Sequence, residues 1–148
     1  MLMYDRVGVL KDTLKSVGEL AILLNEPHQS GISLRFINHK NDGHMNNLTS
    51  VSEIEKAISE VSFDGNTRLG TQLKRKVLIP FLVDRLERQR RKLDKPILIT
   101  IITDGKPEGE DRSELKDTIL WCKEYMESMG YGPWGECCFP GRHRLAFG

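Results

Sequence analysis

The chain has 148 residues, and its 22 lysine and arginine residues against 21 aspartate and glutamate residues leave a formal net charge of +1. This length is typical of one domain, and the even charge balance argues against a general electrostatic attraction to nucleic acid or to an anionic membrane. No apolar run approaches the ~20 residues that a membrane-spanning helix needs. The three cysteines show no C-x-x-C spacing, so we expect reduced thiols and a cytoplasmic protein.

The first half of the chain predicts a helix, a strand and a second helix. Apolar residues in alternating steps of three and four favour a helix over residues 6–24. Residues 32–38 alternate apolar and polar side chains, which is typical of a strand. A polar loop is expected over residues 39–50. Ser50 and Glu53 have the spacing of a capping box, which predicts a helix start.

The second half predicts two further helices around a strand. A long helix is expected over residues 70–92, and Pro80 inside it must kink or interrupt it. Beyond the strand, Asp111 and Glu114 are suited to the start of a helix that Gly130 ends.

The run Ile97–Thr103 (ILITIIT) is the most informative segment. It is β-branched at every position except Leu98 and shows no polar alternation, which is typical of a central parallel strand covered on both faces. Asp104 follows at once, so its carboxylate would lie at the carboxyl edge of the sheet, where open α/β sheets bind ligands. The alternative is that Asp104-Gly105 merely forms a turn.

The order of these elements predicts the fold class: helix, strand, helix, helix, strand, helix is the order of a doubly wound, Rossmann-like α/β fold with a mostly parallel sheet. Ile97–Thr103 should be its most buried strand and should run parallel to the strand at residues 32–38.

Enzyme motifs are weak or missing. The Gly65-x-x-x-x-Gly70 frame resembles a phosphate-binding loop, but Thr71 stands where the essential lysine should be. The four histidines form no i, i+4 pair for zinc, and no Gly-x-Ser-x-Gly elbow occurs. The basic clusters at residues 74–76 and 85–92 are more typical of the solvated end of a helix than of a polyanion site. We therefore expect no enzymatic activity.

Three phrases together resemble one known family. PILITIITDGKPEGE, DGNTRLGTQL about thirty residues earlier, and FINHK are similar to a von Willebrand factor type A domain of the variety found in fungal intracellular proteins, from about Val7 to Gly135. The resemblance implies that three loops hold a divalent cation, usually Mg²⁺, whose open position takes a carboxylate from a partner protein. Thr67 matches the threonine of the second loop, and Asp104 matches the aspartate of the third.

The sequence departs from this family at both ends. The Asp-x-Ser-x-Ser motif of the family's first loop is absent, and the resemblance stops after Gly135. We therefore expect a partial domain at residues 1–135, truncated at its N-terminus, with an incomplete sheet and an irregular tail at residues 136–148. With only Thr67 and Asp104 as ligands, Mg²⁺ should bind weakly or not at all.

These observations favour a non-enzymatic protein-interaction module with a degenerate Mg²⁺-dependent adhesion site and a protein partner that offers a carboxylate. Two alternatives stay open. The chain could bind a protein without metal, through helical or loop surfaces. More distantly, it could be an α/β enzyme that uses Asp104 as an acid, a base or a metal ligand.

Overall fold

The computed structural model describes residues 2–25, 31–40, 42–90, 92–93, 96–103 and 105–132. The chain divides into two compact units, and each is described by itself. The first unit comprises Met1–Arg68 and Thr100–Glu110, and the second comprises Leu69–Ile99 and Asp111–Gly148. The predicted tail at residues 136–148 and the point of divergence at Gly135 lie outside the described residues.

The first unit is built on two helices, α1 (Leu2–Asn25) and α2 (Val51–Ser59), which pack against each other. The capping box at the start of α2 is confirmed: the Ser50 hydroxyl accepts from the Glu53 N–H, and the Glu53 carboxylate accepts from the Ser50 N–H. The apolar side of α2 lies in a core of seven buried residues: Leu34, Met45, Leu48, Ile54, Ala57, Ile58 and Val61.

Residues 31–36 of the first unit lie beside residues 42–48. Ile32 forms an isolated antiparallel bridge with Leu48, with N–H···O distances of 2.9 and 2.8 Å. Arg35 donates from its guanidinium to the carbonyls of Leu34 and Asp42, at 2.6 and 3.2 Å. These bonds hold the predicted polar loop against the core, and Met45 within that loop is completely buried.

The second unit contains helix α3 (Leu69–Leu73), which continues into a π-helix (Lys74–Arg88), and helix α4 (Glu114–Ser128). Gln89 closes the π-helix by donating to the carbonyl of Asp84, five residues earlier, at 3.1 Å. The buried residues recur at every fourth position, which keeps them on one face: Leu78, Leu82 and Leu86. The expected long helix is therefore present, but Pro80 lies within wider turns of the i→i+5 type.

Gly70 explains the close approach of α3 to α4. A Cβ built on Gly70 would lie 2.6 Å from the carbonyl carbon of Glu114 and from the nitrogen of Leu115. The Thr118 hydroxyl donates to the Gly70 carbonyl at 3.3 Å. The glycine that suggested a phosphate-binding frame is thus required by helix packing, because any side chain there would meet backbone atoms.

The predicted α/β fold class is wrong. The described residues form helices and one isolated bridge, with no strand and no sheet among them. Ile97–Thr103 has no regular secondary structure, and Leu98 is 88% exposed instead of buried. Ile32 pairs antiparallel with Leu48, not parallel with that segment. A parallel strand is stable only when neighbours satisfy its backbone groups and cover both faces, and within the described residues no neighbour does so.

Candidate functional site

The Thr67 loop (residues 64–68) and the Gly105 loop (residues 105–109) contact each other in the first unit. The backbone N–H of Glu108 donates to the carbonyl of Thr67 at 3.0 Å. The Thr67 hydroxyl lies 4.0 Å from the position that a Cβ on Gly105 would occupy. The two loops that the sequence singled out are therefore neighbours, although the described residues form no sheet edge beside them.

Asp104, the second predicted ligand, lies outside the described residues, so its part in a cation site with Thr67 stays a prediction. Its neighbours in the chain are described: the Thr103 hydroxyl accepts from the Gly105 N–H at 3.3 Å. Thr67 itself is partly buried.

The two loops carry two exposed cations that the sequence reasoning did not assign, Arg68 and Lys106. A Cβ built on Gly109 would lie 3.1 Å from Arg68 Nε, so the guanidinium of Arg68 lies against the Gly105 loop. Their positions in the sequence could have indicated them, because each cation follows directly after a residue already singled out, Thr67 or Gly105. A guanidinium, an ammonium and a hydroxyl are groups that recognise a carboxylate.

The donors fit Mg²⁺ in kind but not in number. As predicted ligands, Thr67 and Asp104 would supply one hydroxyl and one carboxylate, whereas Mg²⁺ demands six oxygen ligands in an octahedron. The described part of the chain holds no group of three or more His, Cys, Asp or Glu residues placed to bind a metal ion. These residues alone therefore do not make a complete metal site.

A second cluster of chemically active side chains lies in the second unit. Trp121 and Tyr125 stack with ring centroids 5.7 Å apart, and the Lys74 ammonium lies 4.1 Å from the Trp121 ring centroid. Burial, together with a 3.0 Å hydrogen bond to Glu87, raises the pKa of Tyr125 to about 12. Burial also raises the pKa of the Cys122 thiol, which favours its unreactive protonated form. These groups stabilise the packing of the unit.

The basic clusters also make contacts within the unit. Lys74 lies over Trp121, and Arg88 forms a 3.3 Å ion pair with Asp84 one turn earlier. No helix in the described part of the chain is long and apolar enough to cross a membrane.

Comparison with known proteins gives no relative. No family model matches the chain, and no curated protein and no solved structure is significantly similar to it. The resemblance to von Willebrand factor A domains therefore depends on the sequence phrases alone.

Proposed function

We propose that the chain is a non-enzymatic, cytoplasmic protein-interaction module of the von Willebrand factor A type, with an incomplete magnesium-dependent adhesion site. The partner offers a carboxylate, which the Thr67 loop and the Gly105 loop bind together. The proposal concerns these loops and not a sheet.

The contact between the two loops is the observation that carries this proposal. Thr67 and Gly105 are far apart in sequence, yet the hydroxyl of the first lies 4.0 Å from the Cβ position of the second. The family resemblance independently selects the same two loops. Because the contact between the loops and the family resemblance both point to the same two loops, a binding role is favoured over two unrelated turns.

The metal contributes little in this chain. One hydroxyl and one carboxylate cannot offset the cost of dehydrating Mg²⁺, which gives up water reluctantly. Thr67 and Asp104 are thus the remnant of a cation site. Each of the two loops presents one exposed carboxylate, Asp64 or Glu108, beside one exposed cation, and the metal-independent alternative is favoured by the two cations, Arg68 and Lys106. These charges can attract the partner carboxylate directly.

A fluorescent poly-glutamate peptide tests this proposal, with binding measured by anisotropy at low salt in Mg²⁺ and again in EDTA. We expect weak binding that changes less than about twofold between the two conditions. Arg68→Ala and Lys106→Ala should each weaken it roughly 1.4- to 5-fold, the range for exposed ion pairs. Arg112→Ala removes an equally exposed arginine outside both loops and is the matched control.

The other outcomes are informative. Binding that EDTA abolishes, and that Thr67→Val also abolishes, would show that the cation site is complete enough to act and would contradict the incomplete site. Absence of binding, or equal weakening by Arg112→Ala, would show that the two loops do not select a carboxylate.

A further inference from the structure

The segment Ile97–Thr103, called the apolar segment below, contains no ionisable side chain and is exposed at every position except Ile102, which is half-buried. Leu98 is 88% exposed, Ile101 is 42% exposed, and Ile97 and Ile99 are each 37% exposed. Within the described residues, no backbone hydrogen bond joins residues 97–102 to any other segment. An exposed, uncharged, β-branched segment with open backbone groups is a template for strand pairing.

We propose that the apolar segment pairs antiparallel with the same segment of a second copy of the chain, with Thr100 opposite Thr100. A second copy is a suitable occupant because two uncharged segments meet without like-charge repulsion. The pairing is also isologous, which is the commonest arrangement of two identical subunits. The pairing of residues 97–103 does not depend on the proposed function of the two loops, although its register uses Lys106, which that proposal places at the partner carboxylate.

Symmetry limits the possible registers. Residues directly opposite each other in an antiparallel pair project to the same face, whereas successive residues along one strand project to opposite faces. In a two-fold symmetric pair, one residue must therefore lie opposite its own copy. For pairing centred on the middle of the apolar segment, that residue is Ile99, Thr100 or Ile101.

The Thr100 register brings opposite charges together at the ends of the pair. In sequence, Asp94 lies six residues before Thr100 and Lys106 lies six residues after it. With Thr100 opposite its own copy, Asp94 of each chain therefore lies opposite Lys106 of the other. Opposite charges in this position stabilise an antiparallel pair, and the symmetric dimer contains the pair twice.

The two neighbouring registers bring like charges together. With Ile99 at the centre, Asp94 lies opposite Asp104 of the other copy. With Ile101 at the centre, Asp94 lies opposite Glu108. Because like charges directly opposite each other are destabilising, the flanking charges select the Thr100 register from the three.

Side chains on both faces are compatible with this register. Leu98 lies opposite Ile102 on one face, and Ile99 lies opposite Ile101 on the other. Thr100 lies opposite Thr100, a pair whose hydroxyls can hydrogen-bond across the strands. The pairing would therefore cover the apolar side chains that the structure leaves exposed.

Sedimentation velocity of the full chain over a wide concentration range tests the pairing. We expect a reversible dimer, and Ile99→Lys should raise its dissociation constant roughly tenfold or more, because lysine would then lie opposite Ile101 twice. Ile119→Lys is the matched control, since Ile119 is 52% exposed on α4 and lies outside the segment. Circular dichroism of both variants checks that each one folds as the parent does.

The register has its own test. Asp94→Lys and Lys106→Asp should each raise the dissociation constant roughly 2- to 30-fold, because each creates two like-charge pairs, and the double variant should restore it. A chain that stays monomeric at all concentrations would overturn the proposal, as would a dimer that Ile99→Lys and Ile119→Lys weaken equally. Growth into fibres would show stacking on both edges in place of a two-copy pair, and failure of the double variant to restore affinity would overturn the register.

Discussion

Ser50 and Glu53 show how much a short sequence pattern can predict at the scale of single residues. The Glu53 carboxylate accepts from the Thr49 N–H at 2.8 Å and from the Ser50 N–H at 3.1 Å. Hydrogen bonds from the Thr49 backbone, then from the Ser50 side chain and backbone, lower the pKa of Glu53 from its ordinary value of 4.5. All partners lie within four residues, so the arrangement was predictable from sequence.

This shift predicts a pH dependence of unfolding. Because the pKa of Glu53 is lower in the folded state, its stabilisation is fully present above pH 4.5, the ordinary value, and is lost as the pH falls through the folded-state value. Glu53→Gln should therefore lower the melting temperature at neutral pH. On acidification, the melting temperature of this variant should fall less than that of the parent. Thermal unfolding between neutral and acidic pH measures this.

Glu124→Gln, which removes an exposed carboxylate of α4 outside the capping box, is the matched control. Parallel curves for Glu53→Gln and the parent would contradict the assigned role of the Glu53 carboxylate.

Other residues could not be placed from sequence because their partners are not local. Met45 lies in a polar stretch, yet it is completely buried in a core with Leu34 and residues of α2. Thr67 as a metal ligand stays a prediction, and its contact with the Gly105 loop joins segments about forty residues apart. The charge of Arg68 became informative only when that contact was known.

At the scale of elements, sequence periodicity predicted the positions of the helices well, but it predicted less well which side chains of each helix are buried. Helix α1 was predicted over residues 6–24 and spans Leu2–Asn25. However, the apolar pattern that predicted this helix ends at Leu24, which is 74% exposed. In α4, the apolar residue Ile119 is 52% exposed, whereas its polar neighbour Thr118 is buried. Its hydroxyl bond to Gly70 explains this reversal, since a threonine fits where two helices approach closely.

Two glycines of α1 give a prediction about helix packing. A Cβ built on Gly18 would lie 2.6 Å from Ile54 Cδ1, whereas nothing lies within 4 Å of one built on Gly8. Gly8→Ala should therefore stabilise the chain by up to about 1 kcal/mol, the difference in helix propensity. Gly18→Ala has the same gain in helix propensity, but Ile54 must move within a packed core at a cost of about 1–3 kcal/mol, so the net effect should be a destabilisation of up to about 2 kcal/mol. Urea denaturation measures both changes.

A compensating variant separates steric conflict from a general effect on the helix. Ile54→Val removes the Cδ1 atom that the new methyl group would meet, so it should cost less in the Gly18→Ala background than in the parent. Equal stabilisation by alanine at both glycines would contradict the packing of α1 on α2.

At the scale of the whole molecule, the fold class was the part that sequence reasoning predicted wrongly. The composition of Ile97–Thr103 correctly indicates high β propensity, but that propensity expresses how a residue fits a pleated, covered surface and does not create one. A sheet is a property of several segments together. The described residues supply one isolated bridge, Ile32–Leu48, so the apolar run has no sheet to join.

The exposure of residues 97–103 is also the basis of the proposed self-pairing. Residues 97–103 are uncharged, and within the described residues their backbone groups form no hydrogen bond to another backbone segment. Their exposure to water is unfavourable, because apolar surface that could be buried remains hydrated. Pairing with a second copy would bury part of that surface and satisfy one edge of the backbone. The solvent exposure and backbone hydrogen bonding of the unpaired and the paired chain should therefore differ most at residues 97–103.

Amide hydrogen exchange of residues 97–103, measured at a concentration where the chain is monomeric, tests the account most directly. Unpaired, exposed amides should exchange rapidly, while the buried helix α2 should be protected. Protection of residues 97–103 in the monomer equal to that of α2 would show that the segment is a strand inside a sheet. That result would contradict both the exposed segment and the self-pairing inferred from it.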